Sequence, residues 1–344
     1  MSVVGVTGVS GYLGRHLLAR LEAAPDVTRV VGIDVHEPVG SPKLEFHQLD
    51  VRDARLAKTF VGVDVVVHLA FRLDPIRDEE RMRSINVDGT RNVLEAAAAT
   101  GVRKLVYPSS ATVYGAHSDN DVPLGEEAPL RANADFAYAR HKLDTERLVE
   151  AFRGAHPDVV VTVFRGANVL GPSVDNFVSR LLEAPRVLTV VGYEPPLQVI
   201  HEEDFSDALA FAVSNDLDGV FNLAADGWLE PSEVLSLTGK KTTPVPEEVA
   251  FTVAERLWRS GLSMAPAGEL HYVMHPWVVD NAKLRAAGWE PRHSNRDTLL
   301  ETVESHRDWI VLGRARFRRA TIARAAVVVA GVIASFALAR RARR

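Results

Sequence analysis

A tyrosine and a lysine four residues apart, in Tyr138-Ala139-Arg140-His141-Lys142, stand on one face of any helix that contains them. A free phenol titrates at about pH 10 and is a poor base at neutrality. A neighbouring ammonium favours the phenolate and lowers that value. Such a phenolate can take the proton of an alcohol while a hydride leaves the same carbon. Ser109 and Ser110 follow the apolar run Lys104–Pro108, and a serine hydroxyl there can orient the reacting oxygen. In open α/β sheets ligands bind at the C-terminal edge of the strands, where that run would end. Tyr138 and Lys142, with a serine of the pair Ser109-Ser110, are therefore the expected reacting groups.

A hydride needs an acceptor, and the N-terminus supplies a place for one. Thr7-Gly8-Val9-Ser10-Gly11-Tyr12-Leu13-Gly14 lies between an apolar strand and a helical run. Glycines at 8, 11 and 14 let the backbone turn sharply and approach a pyrophosphate, which the free N–H groups of the helix start would hold. Gly8, Ser10, Gly11, Tyr12, Leu13 and Gly14 are the expected cofactor contacts. Asp34 ends the next strand, 20 residues after Gly14. A carboxylate there accepts from both ribose hydroxyls of NAD and repels a 2′-phosphate, and neither Val35 nor His36 offsets it. The cofactor is expected to be NAD rather than NADP, and its positive nicotinamide would add to the lysine in favouring the phenolate.

The elements that must position these groups are legible as alternation. Strands are expected at Val3–Thr7, Val30–Asp34, Leu44–Gln48, Val63–His68, Lys104–Pro108 and Val159–Phe164. Helices are expected at Tyr12–Ala24, Ala54–Phe60, Ser84–Thr100 and Tyr138–Phe152. Continuous apolar strands between helices indicate a doubly wound α/β fold with a parallel sheet. Residues 1–172 form this NAD-binding domain. From 173 to 312 the elements shorten and prolines punctuate them, as in a smaller substrate lobe from which some chain returns to the first domain. The chain has 344 residues and no cysteine, which excludes a disulfide scaffold, a thiolate metal site and a cysteine nucleophile. No pair of histidines has metal-ligand spacing, so no metal is expected.

Residues 313–344 differ from the rest. They hold nine of the 40 basic residues and no acid, which leaves 31 basic against 45 acidic side chains in the body. An acidic body argues against a nucleic-acid partner. Ala325 to Ala339 is uncharged, with arginines on both flanks. As a helix it would be about 22 Å long, short of a usual span. An apolar terminal helix is expected, with membrane association through 321–339. With no export signal at the N-terminus, the expected location is cytoplasmic, attached to the inner face of the membrane by this tail.

The chain resembles the extended short-chain dehydrogenase/reductase superfamily, in particular the NAD-dependent epimerase/dehydratase family. The resemblance runs from about residue 3 to Trp309. It is carried by TGVSGYLG (7–14), Asp34, LDVRD (49–53), HLA (68–70), INVDGTRNVLEAA (85–97), SSATVYG (109–115), YARHK (138–142), FRGANVLGP (164–172) and IHEED (200–204). It implies that Asp50 and Val51 contact the adenine and that Leu69 and Ala70 line the dinucleotide path. It implies that Asn86 supports the active site beside the cofactor, that Ser110, Tyr138 and Lys142 are the catalytic set, with Lys142 also holding the nicotinamide ribose, and that Thr112 and Asn168 join Ser110 in facing the substrate. It implies a homodimer through helices 84–100 and 138–152.

Two departures matter. Dehydratases of the family carry an acidic pair after the active-site hydroxyl, whereas Ala111 and Thr112 follow Ser110, so dehydration is disfavoured. Many of its nucleotide-sugar epimerases have an arginine for the diphosphate four residues before the histidine of IHEED, where this chain has Leu197. Arg72 or Arg165 could take its place. Three readings follow: an epimerase or dehydrogenase acting on a sugar or nucleotide sugar, an oxidoreductase of a lipophilic alcohol like the 3β-hydroxysteroid dehydrogenases, and a non-catalytic NAD-sensing scaffold.

Overall fold

The structure, a computed structural model, describes residues 1–312 and 315–321. Its first half alternates as expected. The strands are β1 (Ser2–Thr7), β2 (Val27–Asp34), β3 (Leu44–Gln48), β4 (Val65–His68), β5 (Lys104–Pro108) and β6 (Val160–Gly166). The helices are α1 (Tyr12–Ala23), α2 (Leu56–Thr59), α3 (Glu79–Arg83), α4 (Gly89–Thr100) and α5 (Ala137–Ala155). The second half contributes β7 (Asn168–Leu170), β8 (Val187–Val190), β9 (Val199–His201), β10 (Gly219–Leu223), β11 (Thr242–Val245), β12 (Trp309–Leu312) and β13 (Ala315–Arg318). Between them run α6 (Phe177–Glu183), α7 (Glu202–Ser214), α8 (Pro231–Thr238), α9 (Glu247–Ser260), α10 (Ala282–Ala286) and α11 (Asn295–His306).

Seven strands form one sheet in the order β10-β6-β5-β4-β1-β2-β3, every pair parallel. The order reverses beside β1, and the crevice above that reversal is where such sheets bind ligands. Each face is covered, so the strands read as continuous Val, Ile and Leu rather than as an alternation. On one face α1 and α7 pack over Val4, Val6, Val30, Val67 and Phe164. On the other α2, α4 and α5 bury Val31, Val66, Leu105, Tyr107 and Val161. Each such side chain, taken out of water, contributes about 1.5–3 kcal/mol.

Strand β10 and helix α7, from beyond residue 173, pack onto the sheet of the first half. The buried ammonium of Lys104, at the start of β5, caps the end of α7. It donates to the carbonyls of Ala212, Val213 and Asn215 at 3.2, 3.0 and 2.9 Å and pairs with Asp216 at 2.8 Å. A cation at a helix C-terminus satisfies carbonyls that have no partner within the helix.

The expected single helix Ser84–Thr100 is instead a longer helical run from Glu79 to Thr100, widened by a π turn at Ser84–Asp88. Such turns often mark functional sites, and Asn86 sits inside this one. The small lobe holds the parallel pair β8/β11 and the pair β7/β9. Beyond it, β12 pairs antiparallel with β13, so the expected boundary at residue 313 falls between two paired strands. Arg316 of β13 donates its Nε to Glu183 at 2.9 Å, a fully buried carboxylate that also meets His306 at 2.6 Å. The uncharged run 325–339 lies outside the described residues. Among the described residues no helix is long and apolar enough to cross a membrane.

Candidate active site

The glycine loop is closed by contact. Gly8 has φ +74°, and a Cβ there would lie 2.7 Å from the amide nitrogen of Ala70. A Cβ on Gly14 would lie 2.3 Å from the carbonyl oxygen of Gly8. Only glycine lets α1 start this close to β1 while the Leu69–Ala70 loop crosses over it. Gly11 caps α1 without any side-chain bond to its first N–H groups, which stay available for an anion. Leu13 packs into the core. Asp34 accepts from the amides of Ser10 at 3.0 Å and His36 at 3.1 Å. The carboxylate is thus fixed at the strand end where a ribose would be read. This donor set fits a dinucleotide.

The Tyr12 side chain is engaged away from the loop, which leaves its backbone N–H as the group that could meet a cofactor. Its hydroxyl donates to Glu202 at 2.7 Å, and burial beside that carboxylate pushes the phenol well above its ordinary range. Its side chain ties α1 to α7 rather than pointing at the loop. The same junction includes His16 and Arg20 against Glu203. Asp204 in turn accepts from the amides of Arg292 and His293 at 3.1 and 2.9 Å. IHEED is therefore the clamp between the cofactor-loop helix and the rest of the chain.

Asp50, expected to meet an adenine, is bound to Arg52, whose hydrogen bonds hold its pKa down. Val51 is buried against Gly89, and Asn92 fixes this loop by donating to the carbonyls of Val51 at 2.6 Å and Asp53 at 3.0 Å. Asn86, fully buried, accepts from the amide of Arg72 at 2.6 Å and donates to its carbonyl at 3.1 Å. It holds the backbone that leads from Leu69 and Ala70 into the cleft. The Arg72 side chain itself is exposed. His68 is enclosed between the hydroxyls of Thr7 at 2.7 Å and Thr90 at 2.9 Å. Burial, then Lys142, pushes it down to about 3, so it is a neutral packing group, as its strand-end position led one to expect.

Ser110, Tyr138 and Lys142 converge at the C-terminal ends of β4 and β5. The Ser110 Oγ accepts from the amide and the hydroxyl of Thr112 at 3.2 and 3.0 Å. Tyr138 is half-buried in the first turn of α5. Burial pushes its phenol up to about 12, Ser110 pulls it down, and Glu269 raises it. Lys142 is buried, donates to the carbonyl of Pro108 at 2.7 Å, and lies 3.8 Å from the ring centre of Phe71. Burial brings the ammonium down to about 7, against a smaller rise from Glu146. The expected lowering of the phenol by the lysine is not what this arrangement gives. Phe71 stands edge-on to Tyr138 at 5.9 Å with its face on Lys142, and the phenol remains above its ordinary value.

Below the catalytic face lies a buried network. Ser109 donates to Glu146 at 2.6 Å, and Glu146 takes Arg165 Nε at 2.8 Å. Arg165 also donates to the Tyr114 hydroxyl at 2.9 Å and the Glu126 carbonyl at 2.8 Å. All three Arg165 nitrogens are engaged inside this buried network, so the side chain does not reach out to a diphosphate, and that expectation is corrected. Leu197 bonds through its backbone to Leu229 in an apolar cluster. An open cavity of about 530 Å³ alongside is lined by Tyr193, Glu194, Trp228, Glu230, Met274 and His275 among others, with no lysine or arginine. Asn168, at the start of β7, is half-buried.

Away from this face, His201, His293 and Glu301 bring possible ligand atoms within 4.8 Å of one another. The two imidazoles stack at 3.9 Å and 20°, so their in-plane lone pairs run side by side instead of converging. His201 Nδ1 accepts from the amide of Glu203 at 3.1 Å, which leaves the proton on Nε2. This cluster is not built for a metal.

The model of the NAD dependent epimerase/dehydratase family matches residues 4–225. An uncharacterised protein of Mycobacterium tuberculosis (strain H37Rv) is 30% identical over 318 residues, 89% of this chain and 83% of that protein. One from Sinorhizobium fredii is 28% identical over 90% of this chain and 79% of its own length. Among solved structures, MoeE5 in complex with UDP-glucuronic acid and NAD is 25% identical, with TM-score 0.71 over 88% of this chain and 98% of that one. The UDP-glucose 4-epimerase of Thermus thermophilus, complexed with NAD, shares the fold at 23% identity and TM-score 0.68, over 89% of this chain and 99% of that one.

Proposed function

Because the chain belongs to the NAD-dependent epimerase/dehydratase family, enzymes that use NAD, we propose that it transfers hydride at a secondary alcohol or ketone of a sugar, free or carried on a nucleotide, as an epimerase or dehydrogenase. The observation that carries this reading is that Tyr138 meets Ser110 while Phe71 stands against both Tyr138 and Lys142, whose ammonium is held by Pro108 at the end of β5. The loop amides and the start of α1 would hold the pyrophosphate, Asp34 the adenosine ribose, and Lys142 the nicotinamide ribose. Bound NAD supplies the hydride acceptor and a positive charge beside the phenol.

The chain's own residues do the rest. Ser110 positions the substrate oxygen. Tyr138 takes its proton on Oη and returns it in the reverse direction. A phenol held at about 12 is a weak base, so turnover needs the added positive charge and an ammonium on Lys142. Thr112 and Asn168 complete the substrate face. Dehydration is not proposed, because Ala111 and Thr112 offer no acid after Ser110. A second reading, oxidation of a lipophilic alcohol, draws on Leu197 and the cation-free cavity.

The test is NADH formation or epimer exchange with UDP-glucose, UDP-glucuronic acid, methyl glycosides and sterols, on wild type and Tyr138→Phe. The substitution is expected to lower turnover about 10²–10⁴-fold with NAD affinity nearly unchanged. Wild-type turnover in that variant would overturn the assignment, and activity confined to sterols would favour the second reading.

A further inference from the structure

A turn of the small lobe sits directly on the head of the catalytic helix. Ala267–Val273 is a 3₁₀ segment. A Cβ on Gly268 would lie 2.4 Å from the carbonyl oxygen of Asp135, so the two backbones touch there. His271 Nε2 lies 3.0 Å from an Asp135 carboxylate oxygen, and the Tyr272 hydroxyl donates to the Thr112 carbonyl at 2.9 Å. Phe136, Tyr138 and Tyr272 pack as one aromatic group, with ring centres 5.6 and 5.4 Å apart. Glu269 is held among these contacts. Its Oε2 is buried and has no hydrogen-bond partner. Leaving such an atom unpaired costs about 1–3 kcal/mol, more for a charged group, so the fold keeps it at a loss unless a ligand completes it.

We propose that Glu269 is a substrate-binding acid, brought over Tyr138 by the small lobe to hold a hydroxyl of the substrate next to the reacting carbon. This rests on the sugar-alcohol reading above and narrows it. The groups acting on Glu269 are Asp74 from the loop after β4, Tyr138 from α5 and Tyr272 from its own turn. Asp135 is already engaged by His271, and α9 reaches the turn through Phe251 against that histidine at 5.2 Å. Among the described residues no cation is paired with this carboxyl, although Arg180 acts on Asp74. Burial, and secondarily Asp74, pushes it up to about 8, so at neutral pH it is a neutral acid that can both donate and accept. A hydroxyl satisfies such a group. A carboxylate or phosphate of the substrate would bring a further negative charge beside Asp74.

The experiment uses NAD-loaded full-length wild type, Glu269→Gln and Glu269→Leu. The first readout needs no substrate. The folded-state pKa of Glu269 lies above the unfolded value, so wild-type stability is greatest below the ordinary carboxyl range and falls as pH rises towards about 8. Glu269→Leu is therefore expected to melt higher than wild type, with the gap widening from pH 5 to 8. The second readout is calorimetric binding of methyl β-glucoside, UDP-glucose and UDP-glucuronic acid. Glu269→Leu should weaken the neutral-sugar probes at least tenfold and Glu269→Gln less than threefold, while NAD affinity stays within twofold. Wild type should prefer UDP-glucose to UDP-glucuronic acid. A Glu269→Leu protein that melts no higher than wild type at any pH means the carboxyl is already partnered by water or protein, and overturns the proposal. So does probe binding unaffected by the substitution. Failure of every neutral-sugar probe to bind wild type overturns the proposal, whatever the melting comparison shows. Turnover in Tyr138→Phe bears on the hydride-transfer reading separately.

Discussion

Glu146 and Arg165 are each about 5% exposed and hold one another inside the domain. Breaking a buried pair by removing one partner costs about 3–5 kcal/mol, because the other charge stays buried alone. Glu146→Gln is expected to lower the free energy of unfolding by that amount, read as a lower urea midpoint at unchanged slope. The double variant Glu146→Leu with Arg165→Met should recover part of the loss, and no recovery would mean that Ser109 and Tyr114 depend on the pair as well. Tyr138 and Lys142 were legible because their relation is four residues on one helix, a distance the sequence states directly. The role of Arg165 was not. Its partners are 19 and 51 residues away, and nothing local distinguishes an arginine bound for the core from one bound for a phosphate. Glu269 was missed for the same reason, since its significance is its nearness to Tyr138 across the fold. Phe71 was overlooked beside HLA, although an aromatic directly after that motif was a usable signal.

At the scale of elements, the glycine loop and α1 form one unit with β1. Gly14→Ala would place a methyl 2.3 Å from the Gly8 carbonyl, and backbone rather than a flexible side chain would have to move. The cost of such overpacking is about 1–3 kcal/mol. The expected result is a lower Tm together with at least a tenfold loss of NAD affinity in a fluorescence titration. Unchanged affinity would show that the loop has more freedom than its contacts suggest. The strand and helix alternation of the first half was readable to within a few residues, because a sheet covered on both faces writes itself as apolar runs. The π turn at Ser84–Asp88 was not, since an extra residue in a helix leaves the apolar period almost intact. In the second half, α8, α10, α11, β7, β9 and β11 went unread. All but α11 are short, and much of their stability comes from contacts such as Asn295 to the amide of Val199 at 2.8 Å, which no local pattern announces.

For the whole molecule, the informative cut is at the C-terminal side. The buried carboxylate of Glu183 is shared by His306 and Arg316. Truncation after Leu312 removes Arg316 and should lower Tm by several degrees, whereas truncation after Thr321 keeps it. We expect the longer truncate to bind NAD like full-length protein. Comparing the two with full-length chain in a membrane flotation assay separates the role of the hairpin from that of residues 322–344. Equal stability of both truncates would place the boundary back near residue 313.

The edge of the sheet has a consequence for how the protein is made. Strand β10 is the last of the seven in sequence, yet it covers β6, and Lys104 at the foot of β5 finds its four oxygens only on residues 212–216. A nascent chain leaving the ribosome has all of the cofactor loop and Ser110, Tyr138 and Lys142 by residue 142, but for some 80 residues more it carries a bare parallel edge and an unsatisfied ammonium. Parallel pairing is slow and aggregation-exposed when its closing strand arrives late. The cofactor half is therefore not an independent folding unit. A fragment of residues 1–172 should lack a cooperative melt, and a sharp two-state transition in that fragment would refute this order of assembly.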